Sequence, residues 1–151
     1  MGEIERITDQ LRRAFEGDAW HGPSLTEVLA DVTAEQAAAR ALPKAHRIWE
    51  IVLHIAAWER AALRMLRGEV VKLSPEEDWP AVEDTSESSW RLALGDLRHG
   101  HLELRSAIET LPEARLAEPV PGREFSCYFL LHGVIQHDLY HAGQIALLRK
   151  S

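Results

Sequence analysis

The sequence predicts an all-α protein, a four-helix bundle with short extra helices in the connection between its first and second long helices. Three observations carry that prediction. Four stretches repeat apolar residues at helical spacing, none of useful length alternates as a strand does, and proline or glycine marks the breaks between them. Each stretch is apolar along a stripe, and a bundle buries four such stripes together. At 151 residues and 46% apolar content, the chain reads as one domain spanning residues 1–151 with enough apolar surface for a core.

The first helix follows from Ile4, Ile7, Leu11, Ala14 and Phe15, with Gly17 placed to terminate it. After the turn Trp20-His-Gly-Pro, Ser24 is set to cap a short piece ending near Leu29. Thr33-Ala-Glu-Gln36 has the form of a capping box and opens a second short helix of alanines before Pro43. Both pieces read as connection rather than core. The second long helix spans about residues 45–67 and is closed by Gly68. Its stripe is Ile48, Ile51, Val52, Ile55, Trp58, Ala62 and Met65, with His54 inside it, and its solvated side is expected to hold Arg47, Glu59, Arg60, Arg64 and Arg67. Ser74-Pro75 starts a brief turn that Trp79-Pro80 breaks. Asp84-Thr-Ser-Glu87 caps the third helix, whose seam is Trp90, Leu94, Leu97, His101, Leu104, Ile108 and Leu111. Pro112 stops it, and Pro119, Pro121 and Gly122 fill a linker before a fourth helix from Ser126 to Lys150. The order of the helices around the bundle is not determined at this level.

Composition excludes several classes of function. The net charge is -7, whereas a nucleic-acid partner requires a basic face. No apolar run approaches a membrane span, the mean hydropathy is -0.22, and the N-terminus lacks the features of a signal peptide, so a soluble cytoplasmic protein is expected. The single cysteine, Cys127, rules out an internal disulfide and a cysteine-based zinc site. It lies ten residues before His137, about 15 Å along a helix, and reads as a small buried residue.

The chemistry concentrates in the fourth helix. His137 and His141 stand one turn apart, about 40° apart on the helical wheel, on the arc that carries Leu130, Val134, Ile145 and Leu148. Imidazoles on an apolar stripe need partners. Histidines at i and i+4 meet that need by hydrogen bonding or by ligating one metal ion. His54, near the middle of the second helix, supplies a third ligand if the second and fourth helices pack side by side. Three neutral imidazoles suit zinc, nickel, copper or iron(II), and three protein ligands leave positions open for water or substrate.

Around these three, His101 reads as a satisfied core histidine that also stands within possible reach of the site. Glu50, one turn before His54, is set either to orient a ligand and act as acid or base, or to form a peripheral salt bridge. Tyr140 and Gln144 flank the histidine face as donors to a bound water or substrate, or as packing residues. Asp138 points about 100° from His137 and is expected to be a surface charge or a partner to another helix. His132 faces elsewhere, and His21, His46 and His99 read as surface residues.

Trp20-His-Gly-Pro-Ser-Leu, Ile48-Trp-Glu-Ile-Val-Leu-His54-Ile-Ala-Ala-Trp58-Glu and His137-Asp-Leu-Tyr-His141-Ala-Gly-Gln-Ile-Ala-Leu-Leu, in this order and with Trp79 and Trp90 between them, resemble the DinB-like (damage-inducible) proteins. The resemblance covers nearly the whole chain. It implies a four-helix bundle, usually dimeric, with one divalent metal such as zinc, nickel or iron held by His54, His137 and His141. It also implies a possible activity, since some relatives are thiol S-transferases or isomerases using bacillithiol, mycothiol or glutathione. The expected function is therefore a metal-dependent thiol transferase or hydrolase acting on a small molecule. The alternative is a non-enzymatic, stress-linked protein whose metal is structural or a sensor. A homodimer is expected on a second ground. The fourth helix is apolar on its other face too, through Leu131, Ile135, Leu139, Ala142 and Ala146, and either a second subunit or the connection from Trp20 to Lys44 must cover that face.

Overall fold

A computed structural model describes residues 1–151. It is all-helical, as the periodicity predicts. The long helices are α1 (Glu3–Phe15), α4 (Ile48–Leu66), α6 (Glu87–Glu109) and α7 (Cys127–Leu148). Three short helices join them: α2 (Leu25–Leu29), α3 (Ala34–Ala38) and α5 (Pro75–Asp78). A 3₁₀ turn covers Glu113–Ala117 in the last linker. Polar side chains set most starts, as the sequence indicates. Ser24, Thr33, Ser74, Ser86 and Ser126 each accept a backbone N–H from the first turn of α2, α3, α5, α6 and α7. Ser24 and Thr33 sit in full capping boxes with Glu27 and Gln36. Gly68 takes φ +94° just past α4, a conformation glycine adopts without a side-chain clash.

The helix order, open in the sequence, is set by packing. α4 lies against both α6 and α7, and so does α1, which leaves α1 and α4 across the bundle from each other. Consecutive long helices α1 and α4 are therefore not neighbours, and the segment between them must cross the bundle. Here one expectation is corrected. The connection is core: Leu25 and Ala37 are fully buried, and Val28, Leu29, Val32 and Ala34 join the same apolar cluster as Ile51, Ile55, Trp90 and Ile145. The Trp90 indole N–H donates to the Val32 carbonyl at 2.8 Å, and Glu87 accepts the Ala34 N–H at 3.1 Å, fastening the connection to α6.

α2 packs on α7 and covers the second apolar face of the last helix. Leu131 and Ile135 are buried with Ile7 and Leu11 of α1, and Ala142 with Leu25 and Val28 of α2. The face expected to need a second subunit is thus covered within one chain. Beyond Tyr128 in its first turn, the large apolar residues that α7 leaves exposed form a narrower strip, Phe129, Tyr140 and Leu147.

Candidate metal centre

α4 and α7 pack directly, and their facing sides bring His54, His137 and His141 together with one ligating atom of each within 4.8 Å of the others. His54 Nε2 and His137 Nε2 are 3.0 Å apart. His54 and His141 are buried, and His137 is half-buried. The three residues lie on two helices, so their spacing is maintained by the apolar packing beneath them rather than by a loop.

The outer nitrogens of two rings are tied. His54 Nδ1 lies 2.8 Å from the Asp78 carbonyl oxygen and 3.0 Å from the Asp78 carboxylate. Both neighbours are acceptors, so Nδ1 carries the ring proton and Nε2 keeps its lone pair. His141 Nδ1 donates to Gln144 Oε1 at 2.6 Å, which leaves its Nε2 free in the same way. Carboxylates, carbonyls and amides that hold the far nitrogen of an imidazole set its tautomer and raise its basicity as a ligand. Burial pushes His137 down to about 3, with the neighbouring His141 and His54 adding to the effect. Burial also lowers His141, against the Gln144 hydrogen bond. His137 and His141 are therefore neutral at physiological pH, the form that binds metal. Three imidazoles converging on one point, two of them with the Nε2 lone pair freed by these bonds, fit a divalent ion, whose ligand nitrogens lie about 2.0–2.1 Å from zinc.

α5 closes one side of the centre. Trp79 lies flat between His46 and His54, with ring centroids 3.5 and 3.8 Å away. The Trp58 indole N–H donates to the Asp78 carboxylate at 2.6 Å and locks α5 to α4. On the side of His137 an apolar cleft of about 250 Å³ opens between α4 and α7, walled by Trp58, Phe125, Phe129, Leu130 and Val134.

The other residues named from sequence divide clearly. Gln144 accepts from His141 Nδ1 and so supports that ring. Tyr140 lies edge-on to His141 but is exposed and directed outward. Glu50 serves the start of α4, accepting the Arg47 N–H at 2.7 Å beside Arg40 and His46, the peripheral role. His132 lies 3.9 Å from Glu3, His21, His46 and His99 are exposed, and Cys127 is buried, as expected. His101 is a core histidine bonded to a carboxylate, Glu59 Oε1, at 3.0 Å.

Glu59 is not on the solvated face of α4, where the sequence reading places it, and of the two roles left open for Asp138 it takes the partner to other helices rather than the surface charge; they are 1% and 0% exposed. Glu59 stands four residues after Ile55 and three before Ala62, so it shares their line. Asp138 follows Val134 and precedes Ala142 at four-residue spacing, again on a buried line. Asp138 is also the only charged residue of the 22 in α7, the signal that could have found it. Asp78 and Trp79 were missed as parts of the centre because nothing in their spacing links them to His54.

Fold and site together define the class: an all-helical bundle with a histidine pocket between two long helices, compatible with a divalent metal. The particular family follows from sequence comparison. The DinB superfamily profile matches residues 18–145, and the chain belongs to that superfamily. Comparison with curated proteins and with solved structures gives no significant match.

Proposed function

We propose that this chain is a metal-dependent enzyme that holds one divalent transition metal through His54, His137 and His141 and acts on a small molecule, with thiol S-transfer or hydrolysis as the reaction class. The observation that supports it best is the cleft beside His137. A structural ion is closed off by its ligands, whereas this three-ligand set borders an apolar space where a substrate body fits. A bound ion would supply Lewis acidity, lowering the pKa of a thiol or water to make a nucleophile at neutral pH. The chain's own contribution is orientation: Asp78 and Gln144 aim two imidazoles, and Trp79 and Trp58 exclude water on either side.

The test couples metal content to turnover. Single alanine variants of the three histidines are expected to lose bound zinc under mild chelation, and thiol transfer to an electrophilic substrate is expected to disappear in folded His137→Ala. Stoichiometric metal in all three variants, or activity that survives chelation, overturns the reading. Full metal binding with no turnover across thiols and electrophiles favours the sensor or structural alternative. The same reading includes a homodimer, now through the exposed strip of α7. Phe129, Tyr140 and Leu147 recur at spacings of eleven and seven and so share one face.

A further inference from the structure

We propose that Glu59, His101 and Asp138 form a second, interior divalent-cation site in the bundle core, separate from the histidine centre. The three residues come from α4, α6 and α7, are 1%, 0% and 0% exposed, and bring one ligand-capable atom each within 4.8 Å of the others. Their polar atoms are not satisfied by the protein. With both carboxylates ionised, four buried atoms lack a partner beyond the 3.0 Å contact of His101 Nδ1 with Glu59 Oε1: Glu59 Oε2, both Asp138 oxygens and His101 Nε2; Glu59 and Asp138 hydrogen-bond each other only when one carboxyl holds a proton. The Phe15 ring stacks on His101 at 3.6 Å and seals the cluster from α1. No lysine or arginine forms an ion pair with either carboxylate, and Arg105, one turn after His101 on α6, is engaged by Glu16.

Two carboxylates without a cation do not belong in an apolar core. A single proton bridging Glu59 and Asp138 leaves one Asp138 oxygen and one imidazole nitrogen with no donor. A divalent ion takes both Asp138 oxygens, Glu59 Oε2 and an imidazole nitrogen together, and its charge cancels that of the two carboxylates. Closing the ligands to bonding distance needs only side-chain adjustment, since donors about 2.0–2.2 Å from one ion stand no more than about 4.4 Å apart. An oxygen-rich set with one imidazole suits manganese, iron(II) or zinc. Burial pushes Glu59 up to about 8 against a hydrogen bond from Asp138, and burial, with the adjacent Glu59 carboxyl adding to it, holds Asp138 well above the usual carboxylate range, in keeping with a cluster that tolerates charge only with a cation present. The two sites lie back to back: Asp138 follows His137 on α7 and points about 100° away from it, and Glu59 is five residues after His54 on α4.

Metal analysis after stripping, reloading with zinc and dialysis tests the proposal, using the full chain. The wild type is expected to hold two zinc ions per chain, and both the triple variant His54→Ala/His137→Ala/His141→Ala and the near-isosteric Glu59→Gln/Asp138→Asn are expected to hold one. Adding Mn²⁺ to the triple variant is expected to raise its melting temperature by roughly 5–10 °C at a hundredfold excess over Kd, and Asp138→Asn in that background is expected to abolish the rise. One zinc in the wild type that disappears in the triple variant overturns the interior site, as does a folded Glu59→Gln/Asp138→Asn protein that keeps two. Should that double variant not fold, the triple variant decides alone: zero zinc with no response to Mn²⁺ refutes the site.

Discussion

At the scale of single residues, the proposed metal centre is supported by groups outside the three histidines. Asp78 is the clearest case, because it engages His54 twice, through its carbonyl and its carboxylate, and receives the Trp58 indole N–H. Asp78→Ala keeps the carbonyl and loses the rest, so zinc affinity measured by calorimetric titration is expected to fall about tenfold, the low end for such supports. An unchanged affinity would assign the orientation of His54 to the carbonyl alone. Glu59 governs a second observable, the pH dependence of the metal-free protein. Its folded pKa lies near 8, above the ordinary 4.5, so the folded state binds the extra proton between those values. Stability linked to it is fully present below about pH 4.5 and is lost as pH rises through about 8. His101 and His137 act in the opposite direction, with folded pKa values near 4 and 3 against 6.5. Their stability is present above 6.5 and is lost as pH falls toward those values. Denaturant titrations of the apo-protein should therefore show a maximum in weakly acidic solution, and Glu59→Gln should flatten the alkaline limb. A limb that is unchanged in that variant would place the titrating group elsewhere.

At the scale of elements, α7 carries two of the three candidate histidine ligands and is held at its start by one side chain. Ser126 Oγ accepts the Phe129 N–H at 3.2 Å, and Ser126→Ala is expected to cost about 1 kcal/mol in chemical denaturation. Retained stability would mean that water replaces the cap. α6 holds an unused reserve. Gly95 is mid-helix and exposed, and a Cβ built there meets nothing within 4 Å. Gly95→Ala should raise stability by about 0.5–1 kcal/mol through helix propensity alone. Loss of stability in that variant would reveal a contact with a partner on this face. The short α5 matters beyond its four residues, since it places Asp78 and Trp79 against α4.

At the scale of the whole molecule, α7 is nearly uncharged all round because it is covered on several sides: by α4, by α1 and by the short α2. On α7 the proposed dimer has the strip of Phe129, Tyr140 and Leu147 to work with. Light scattering should give twice the 17.0 kDa chain mass, and Leu147→Glu should shift it toward one. A single-chain mass across a wide concentration range would remove the dimer. No helix of the protein is long and apolar enough to cross a membrane, consistent with the sequence reading of that point.

The sequence by itself determined the helices, their caps and the three histidines. Those features are local: a helix has a period, a cap is a short pattern, and two histidines at i and i+4 share a face whatever surrounds them. Burial is not local in that sense. Helical phase tells which residues share a face, but which faces are inside depends on how α1, α4, α6 and α7 order themselves. α7 offers no polar side to reveal its orientation, so Asp138 stayed open between an outward charge and a partner to another helix. Glu59 was assigned to the arginine-rich side of α4, although its line runs with Ile55 and Ala62. The connection looked peripheral because its helices are five residues each, too short to show a stripe. Tertiary packing alone joined Asp78 to His54 across 24 residues and Glu59 to His101 across 42, contacts that no spacing rule encodes because the chain returns to them only after the bundle closes.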